Sequence, residues 1–395
     1  MSNGREVVVV SGVRTAIGDY GGGLKDIAPT ELAARVVREA VSRAKVAPEE
    51  VGHVVFGNVI HTEPKDMYLS RVAAIQGGLP KETPALTLNR LCGSGLQAIV
   101  SAAQTLLLGD AEVALAGGAE SMSRGAYALP AARWGARMGD AQIMDMMVGA
   151  LTDPFDTVHM GITAENVAAK WGISRAMQDE LAVESNRRAA NAIAKGWFKD
   201  QILPIELKSK KGPVLFDTDE HPRADASMES MAKLRTVFQK DGSVTPGNAS
   251  GINDGAAAVV LMERKTAERK GVKSMARLVA YAHAGVDPKY MGIGPVPAVR
   301  KALERAGLKL EQIDVIESNE AFAAQACAVA KDLGFDMKKV NPNGGAIALG
   351  HPIGATGCIL TVKALYELQR TGGRYGLVTM CIGGGQGIAA LFERL

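Results

Sequence analysis

Four cysteines occur in this chain of 395 residues, and two of them sit where sulfur chemistry is favoured. Cys92 lies in Asn89-Arg90-Leu91-Cys92-Gly93-Ser94-Gly95, between a short extended segment and a long Ala/Leu run that reads as a helix. A helix N-terminus offers unpaired N–H groups and the positive end of the macrodipole, which favour a thiolate. Flanking glycines let a substrate approach the sulfur closely. The plainer alternative is a buried cysteine at a tight turn. Cys381 closes a β-branched run and enters Gly383-Gly384-Gly385, whose N–H groups could hold a developing oxyanion, although most glycine turns are only turns. His351 stands alone in the apolar, glycine-dense stretch from Asn343 to Gly357. Kept neutral by burial, it could act as a base toward a thiol; the alternative is a satisfied structural histidine. Asn319-Glu320-Ala321-Phe322 also follows a strand pattern, and its alternative is a capped helix start. Cys327 and Cys358 fall inside helical patterns and are assigned to packing.

The elements that must position these residues alternate. Val7 to Val10, Val54 to Phe56, Val113 to Leu115, Val259 to Met262, Val315 to Ile316 and Leu377 to Met380 read as buried strands. Ala33 to Ala44, Gly95 to Leu108, Ser174 to Lys195, Val299 to Ala306, Phe322 to Leu333 and Gly354 to Gln369 read as helices, with Ser174 as an N-cap. This alternation predicts an α/β fold. The order also recurs: a strand ending at Asn58, the helix opening at Cys92 and a strand closing on Gly117-Gly118 match a strand ending at Asn319, a helix opening near His351 and a strand closing on Gly383. Two copies of one α/β unit are the expectation. The middle, about residues 121–250, is rich in Met, Pro, Arg and Asp and reads as an excursion from the first unit.

Composition limits the function. Hydrophobic residues make up 47% and charged residues 22%, an ordinary globular balance. Lys plus Arg is 45 against 42 for Asp plus Glu, a net charge of +3, which argues against a nucleic-acid binder. Aromatic residues, at 5%, are too few for base-stacking platforms. No continuous apolar run approaches the roughly 20 residues of a membrane span, and the first strand pattern begins too early for a targeting segment. A cytoplasmic protein with no membrane partner is expected. No pair of cysteines has zinc or redox spacing, so no metal is expected.

Taken together, two cysteines, one histidine and one asparagine at strand ends and helix starts resemble the thiolase family, above all its bacterial biosynthetic β-ketothiolases, including those linked to polyhydroxyalkanoate synthesis. The resemblance runs from Val8-Val9-Val10-Ser11-Gly12-Val13-Arg14-Thr15 to Gly387. It is carried by Asn319-Glu320-Ala321-Phe322-Ala323, Gly350-His351-Pro352-Ile353-Gly354 and Cys381-Ile382-Gly383-Gly384-Gly385. It implies a thiolase fold: two duplicated βαβαβαββ units forming a layered α-β-α-β-α core, with an inserted loop domain. The expected division is 1–121 plus 252–273, 122–251 and 274–395. By the resemblance Cys92 is the acylated nucleophile, His351 its base, and Cys381 the second acid/base. Asn319 holds a water that, with His351, binds the thioester oxygen. The N–H groups of Cys92 and Gly383 form the other oxyanion site.

The resemblance further implies that acyl-CoA and coenzyme A are substrates and products, with no other cofactor. Ser250 should contact the pantetheine, and Leu151, His159, Met160, Ala249, Ala321 and Phe322 should line its tunnel. Arg223 and Ser230 should lie near the nucleotide end, Arg223 having a solvated surface role as its alternative. Met291 should stand beside the acyl group. The segment Arg124 to Met147, with Trp134, resembles the region that joins dimers into a homotetramer. The stretch Lys208 to Lys211 could meet a phosphate or be a solvated loop. The competing readings are a related condensing synthase, which lacks the second catalytic Cys, and a non-catalytic acyl-CoA carrier.

Overall fold

The computed structural model describes residues 4–208 and 212–395. Strand β1 (Val7–Thr15) is buried at every position, as its β-branched run requires. Helix α1 (Pro29–Ala44) opens with Pro in its first turn, where no backbone donor is lost. Strands β2 (His53–Gly57) and β3 (Ala85–Leu88) lead to α2 (Ser94–Leu108) and β4 (Val113–Ser121). The chain then leaves the sheet for α3 (Met160–Trp171) and α4 (Arg175–Ala194), the latter capped by Ser174 Oγ, which accepts from Met177 N at 3.2 Å. It returns as β5 (Asn253–Glu263), beside β4. The second half comprises β6 (Ala276–Gly285), α5 (Pro295–Ala306), β7 (Val315–Ser318), α6 (Ala323–Leu333), α7 (Ile353–Thr371), β8 (Tyr375–Ile382) and β9 (Gln386–Arg394).

The pairing pattern repeats. In the first half the strand order is β1-β5-β4-β2-β3, with β4, β2 and β3 parallel and β5 antiparallel to both its neighbours. In the second half β6-β9-β8-β7 follows the same order and sense, and Ile316 of β7 bridges in parallel to Val340, where the first half has β3. A short antiparallel pairing of β1 with β6, Val8 opposite Arg277 and Val9 opposite Ala276, joins the two. Strands β6 and β9 were not expected from the sequence. β6 is half-exposed along most of its length, and the Ala-Ala-Leu-Phe of β9 carries no strand-specific signal.

Helices α2 and α7 occupy the middle layer. α7 packs on β4 and β5 of one half and on β7 and β8 of the other, while α1 and α5 cover the outer faces. The two central helices touch backbone to backbone. A Cβ on Gly95 would lie 2.7 Å from Cys358 N, and one on Gly357 would lie 2.2 Å from Leu96 N. Cys358 is fully buried at this crossing and belongs to the core. Leu91–Leu108, which includes α2, has the length and hydropathy of a membrane-crossing helix. Glycine and polar residues interrupt its apolar run, and its hydrophobicity serves the middle layer.

Gly357→Ala should destabilise the protein by about 1–3 kcal/mol, because the added methyl meets backbone that cannot move aside. A denaturant-unfolding midpoint indistinguishable from wild type would contradict the close crossing.

Candidate active site

The turn from β3 into α2 holds Cys92. Leu91 adopts a left-handed backbone with φ of 45°, which costs a non-glycine residue about 1–3 kcal/mol. Two side chains hold it there. Asn89 Oδ1 accepts from Leu91 N at 2.8 Å, and Ser94 Oγ accepts from Arg90 N at 2.8 Å while donating to Leu91 O at 2.7 Å. The bend places the sulfur of Cys92 just ahead of α2, where the backbone N–H groups of Gly383 and of Cys92 itself donate toward it. Burial nevertheless pushes the thiol up to about 11, the two N–H groups pulling it down and the charge of Glu120 adding to the rise. Burial thus works against the thiolate that a helix start favours.

His351 is 5% exposed, at the mouth of α7. Its backbone N–H donates to Asn253 Oδ1 at 2.9 Å, which fixes the turn. Its Nδ1 lies 2.7 Å from Thr356 Oγ1, whose own proton goes to Pro352 O at 3.0 Å. Thr356 must therefore accept from Nδ1–H, so the lone pair sits on Nε2. Nε2 in turn accepts from Asn319 Nδ2 at 3.3 Å. Burial lowers the imidazole to about 4, so it rests neutral and ready to take a proton.

Asn319 is completely buried, and its backbone N–H donates to Thr379 O at 3.0 Å, which ties β7 to β8. Its Oδ1 has no protein partner. The neighbouring Glu320 gathers Ser185 Oγ, Asn341 Nδ2 and Ile347 N, and so anchors this strand end to α4 and to the loop before His351. Cys381 is 1% exposed, and burial raises its thiol far above the ordinary value, with Cys92 close enough to add to the shift. At Gly383 a Cβ would fall 2.6 Å from Met160 Cε and 3.0 Å from Leu91 Cδ1, so a side chain there would push two cavity-lining side chains aside.

These groups lie on the floor of a cavity of about 350 Å³. Cys92, His351, Cys381 and Gly383 all line it. So do Leu151, His159, Met160, Ala249, Ser250, Met291, Ala321 and Phe322. Asn319 stands behind, reaching the site through His351. Ser250 donates from both N and Oγ to Ala321 O, at 3.0 and 2.9 Å, which locks the excursion to the strand end before α6. His159 caps α3 through Nδ1, which accepts from Gly161 N at 3.0 Å. Arg223 and Ser230 were expected at the nucleotide end rather than in this tunnel. Arg223 and Ser230 are exposed and outside this cavity, Arg223 held by its N–H to Asn186 Oδ1 and Ser230 occupied in capping a short helix. Lys208 is exposed, and Ser209 to Lys211 lie outside the described residues.

Several residues in the site went unnoticed in the sequence. Phe238 stacks on His159 with ring centroids 4.7 Å apart and meets Phe322 edge-on at 6.3 Å, forming one wall. Thr356, Asn253 and Glu120 orient the reacting groups. None has a local signal: Thr356 looks like any helical threonine, and the other two act across 98 and 234 positions of chain.

Thioester chemistry needs an acyl-accepting sulfur, a base for it, and donors where the oxyanion forms. All three converge at Cys92, and in class the chain is an acyltransferase. The family described as Thiolase, N-terminal domain, matches residues 7–265, and that described as Thiolase, C-terminal domain, matches residues 272–394. The chain belongs to the thiolase family. It is 70% identical to the Beta-ketothiolase BktB of Cupriavidus necator over 99% of this chain and 100% of that one. It is 52% identical to an acetyl-CoA acetyltransferase of Syntrophomonas wolfei, over 99% and 100%. Human mitochondrial 3-ketoacyl-CoA thiolase in complex with CoA superposes with a TM-score of 0.96 at 45% identity, covering 99% of this chain and 98% of that one.

Two outcomes follow from the protonation states. Alkylation of Cys92 by iodoacetamide should keep accelerating as pH rises past about 8.5, the ordinary cysteine value. A plateau below about pH 8 would instead mean a resting thiolate–imidazolium pair. Thr356→Val, which removes the acceptor for Nδ1–H, should lower kcat on the order of 10–100-fold in folded protein. A change within twofold would refute the assigned tautomer.

Proposed function

We propose that the protein is a β-ketothiolase that joins acetyl-CoA to a second short acyl-CoA, acetyl or propionyl, and also runs the reverse thiolysis. The observation that carries this reading is the presence of two thiols, Cys92 and Cys381, in a single cavity with the neutral imidazole of His351. Condensing synthases of related fold lack a second catalytic Cys, so Cys381 speaks for a thiolase.

The resting protonation states allow a closed proton count. Cys92 gives its proton to His351 Nε2 and attacks the acyl carbonyl. As the tetrahedral adduct collapses, the departing coenzyme A thiolate takes the proton of Cys381 and leaves as a thiol. The enzyme now holds acyl-Cys92, an imidazolium and a Cys381 thiolate, with no net change in charge. A second acetyl-CoA then loses its α-proton to Cys381. Burial that raises the Cys381 thiol makes its thiolate a strong base, which suits a weakly acidic carbon. The enolate oxygen lies toward His351 and Asn319, and the carbon attacks acyl-Cys92. The new oxyanion meets the N–H groups of Cys92 and Gly383. Collapse releases 3-ketoacyl-CoA and a Cys92 thiolate, which recovers its proton from His351.

The apolar lining from Leu151, Met160 and Phe322 suits a pantetheine arm. Arg223 and Ser230 are assigned to the nucleotide end of coenzyme A, which would then run over the surface beyond the cavity. We assign residues 1–121 plus 252–273 and 274–395 to the two duplicated units, and 122–251 to the loop domain. Tyr127, Trp134, Met138 and Ile143 are 63–98% exposed on the Arg124–Met147 segment. Such apolar exposure favours an interface between copies, and we assign the protein as a cytoplasmic homotetramer. It needs no cofactor besides its coenzyme A substrates.

The test is coenzyme A-dependent cleavage of four-, five- and ten-carbon 3-ketoacyl-CoA, with preference for the two shorter chains expected. Absence of cleavage of all three would end the assignment. Cys381→Ser should still form the acyl-Cys92 adduct, visible by intact mass. It should lower α-proton exchange of acetyl-CoA by about 10²-fold or more. Unchanged exchange would remove Cys381 from its role.

A further inference from the structure

Glu120 is a completely buried carboxylate that the steps above leave unused. It lies near the end of β4, and its two oxygens accept four N–H groups. Oε1 takes Asn58 Nδ2 at 3.0 Å and Ile60 N at 3.0 Å. Oε2 takes Val59 N at 3.1 Å and Gly354 N at 2.8 Å. Gly354 is in the first turn of α7, beside the turn that carries His351. A side chain of the first half therefore holds the start of a helix in the second, and the positive end of that helix holds the carboxylate. Because all four partners donate, a protonated oxygen would find no acceptor among them. That geometry keeps the group ionised, although burial works to raise its pKa, up to about 8.

The duplication gives this position a meaning. β2 and β4 run parallel with Gly57 opposite Gly118, and β7 and β8 run parallel with Ser318 opposite Thr379. Aligning Gly57 with Ser318 brings Asn58 onto Asn319 and Glu120 onto Cys381. Each half thus presents an asparagine and a protonatable side chain at the same two strand ends. In the second half Cys381 lies near Cys92 and Asn319 donates to His351. In the first half the pair holds the turn beside His351.

We propose that Glu120 is a positioning residue for the condensation: its carboxylate, clamped between the Asn58–Ile60 loop and Gly354, fixes the turn bearing His351 and keeps a negative charge behind the site. The proposal rests on Cys92 and His351 being nucleophile and base. Asp66 is the other carboxylate near Glu120, itself bound by Thr62 N, Thr62 Oγ1 and Glu63 N. Cys92 shares its cavity with Cys381 and the neutral His351; Glu120 does not line that cavity and acts on Cys92 through its charge. The charge at Glu120 works against ionisation of Cys92 and so keeps its proton in place until His351 takes it.

The experiment compares Glu120→Gln and Glu120→Asp with wild type in the full chain, with rates normalised to the Cys92 that can be alkylated. Gln removes the charge and turns an amide N–H toward donors. Its kcat for condensation should fall by about tenfold or more, with KM for acetyl-CoA changed less than about threefold. Its Cys92 alkylation profile should move to lower pH by about half a unit or more. Asp keeps the charge but draws it back, so kcat should fall while the alkylation profile stays at the wild-type position. A purely structural role would lower the folded fraction without moving the profile. An unshifted profile in Glu120→Gln, or wild-type kcat in Glu120→Asp, overturns the proposal; should the Gln variant not fold, the Asp result decides alone. A wild-type protein that neither condenses acetyl-CoA nor alkylates at Cys92 would instead overturn the thiolase reading.

Discussion

Where α2 and α7 cross, backbone rests on backbone, and the position of every reacting group follows from that contact. Each helix begins at a chemical group, α2 just after Cys92 and α7 just after His351. Gly95 and Gly357 leave no side chain between the two. The two helix starts are thereby brought to one floor, with the strand ends of β7 and β8 supplying Asn319, Cys381 and Gly383 around them. A few tenths of an ångström of separation at the crossing would be carried directly into the distance between sulfur and imidazole. The support is reciprocal: Gly383 from the second half donates toward Cys92, and Glu120 from the first half accepts from Gly354.

Burial then decides the chemistry. Both thiols are raised and the imidazole is lowered, so the site rests without charge separation. Charge appears only when a thioester arrives, in front of donors already aimed at it, and those donors need little reorganisation. The strained Leu91 backbone is part of the same arrangement, since it presents the sulfur to the cavity while two side-chain hydrogen bonds absorb the strain. The apolar walls keep water away from the acyl-enzyme, and they come largely from the chain between β4 and β5.

Much of this was legible in the chain itself. The β-branched runs located six strands, although too short: Val113 to Leu115 continues through two glycines to Ser121. The Ala/Leu helices were placed to within a few residues, and Ser174 caps α4. The weak strands were missed because their residues suit more than one structure. The site was found through glycine punctuation around reactive side chains, a local signal that also gave most of the cavity lining by resemblance. Phe238, Thr356, Asn253 and Glu120 escaped because their partners are remote in sequence.

The sequence by itself determined most element types, the repeated order and which side chains gather at the candidate site, since all of these depend on residue type and short-range spacing. Only the tertiary structure decided their protonation and orientation. The neutral thiol at Cys92, the Nε2 lone pair on His351 and the anchoring of α7 by Glu120 come from burial and from hydrogen bonds between strands and helices far apart in the chain. A helix start favours a thiolate in isolation. Burial in the folded protein opposes that preference, because a charge there loses its solvation.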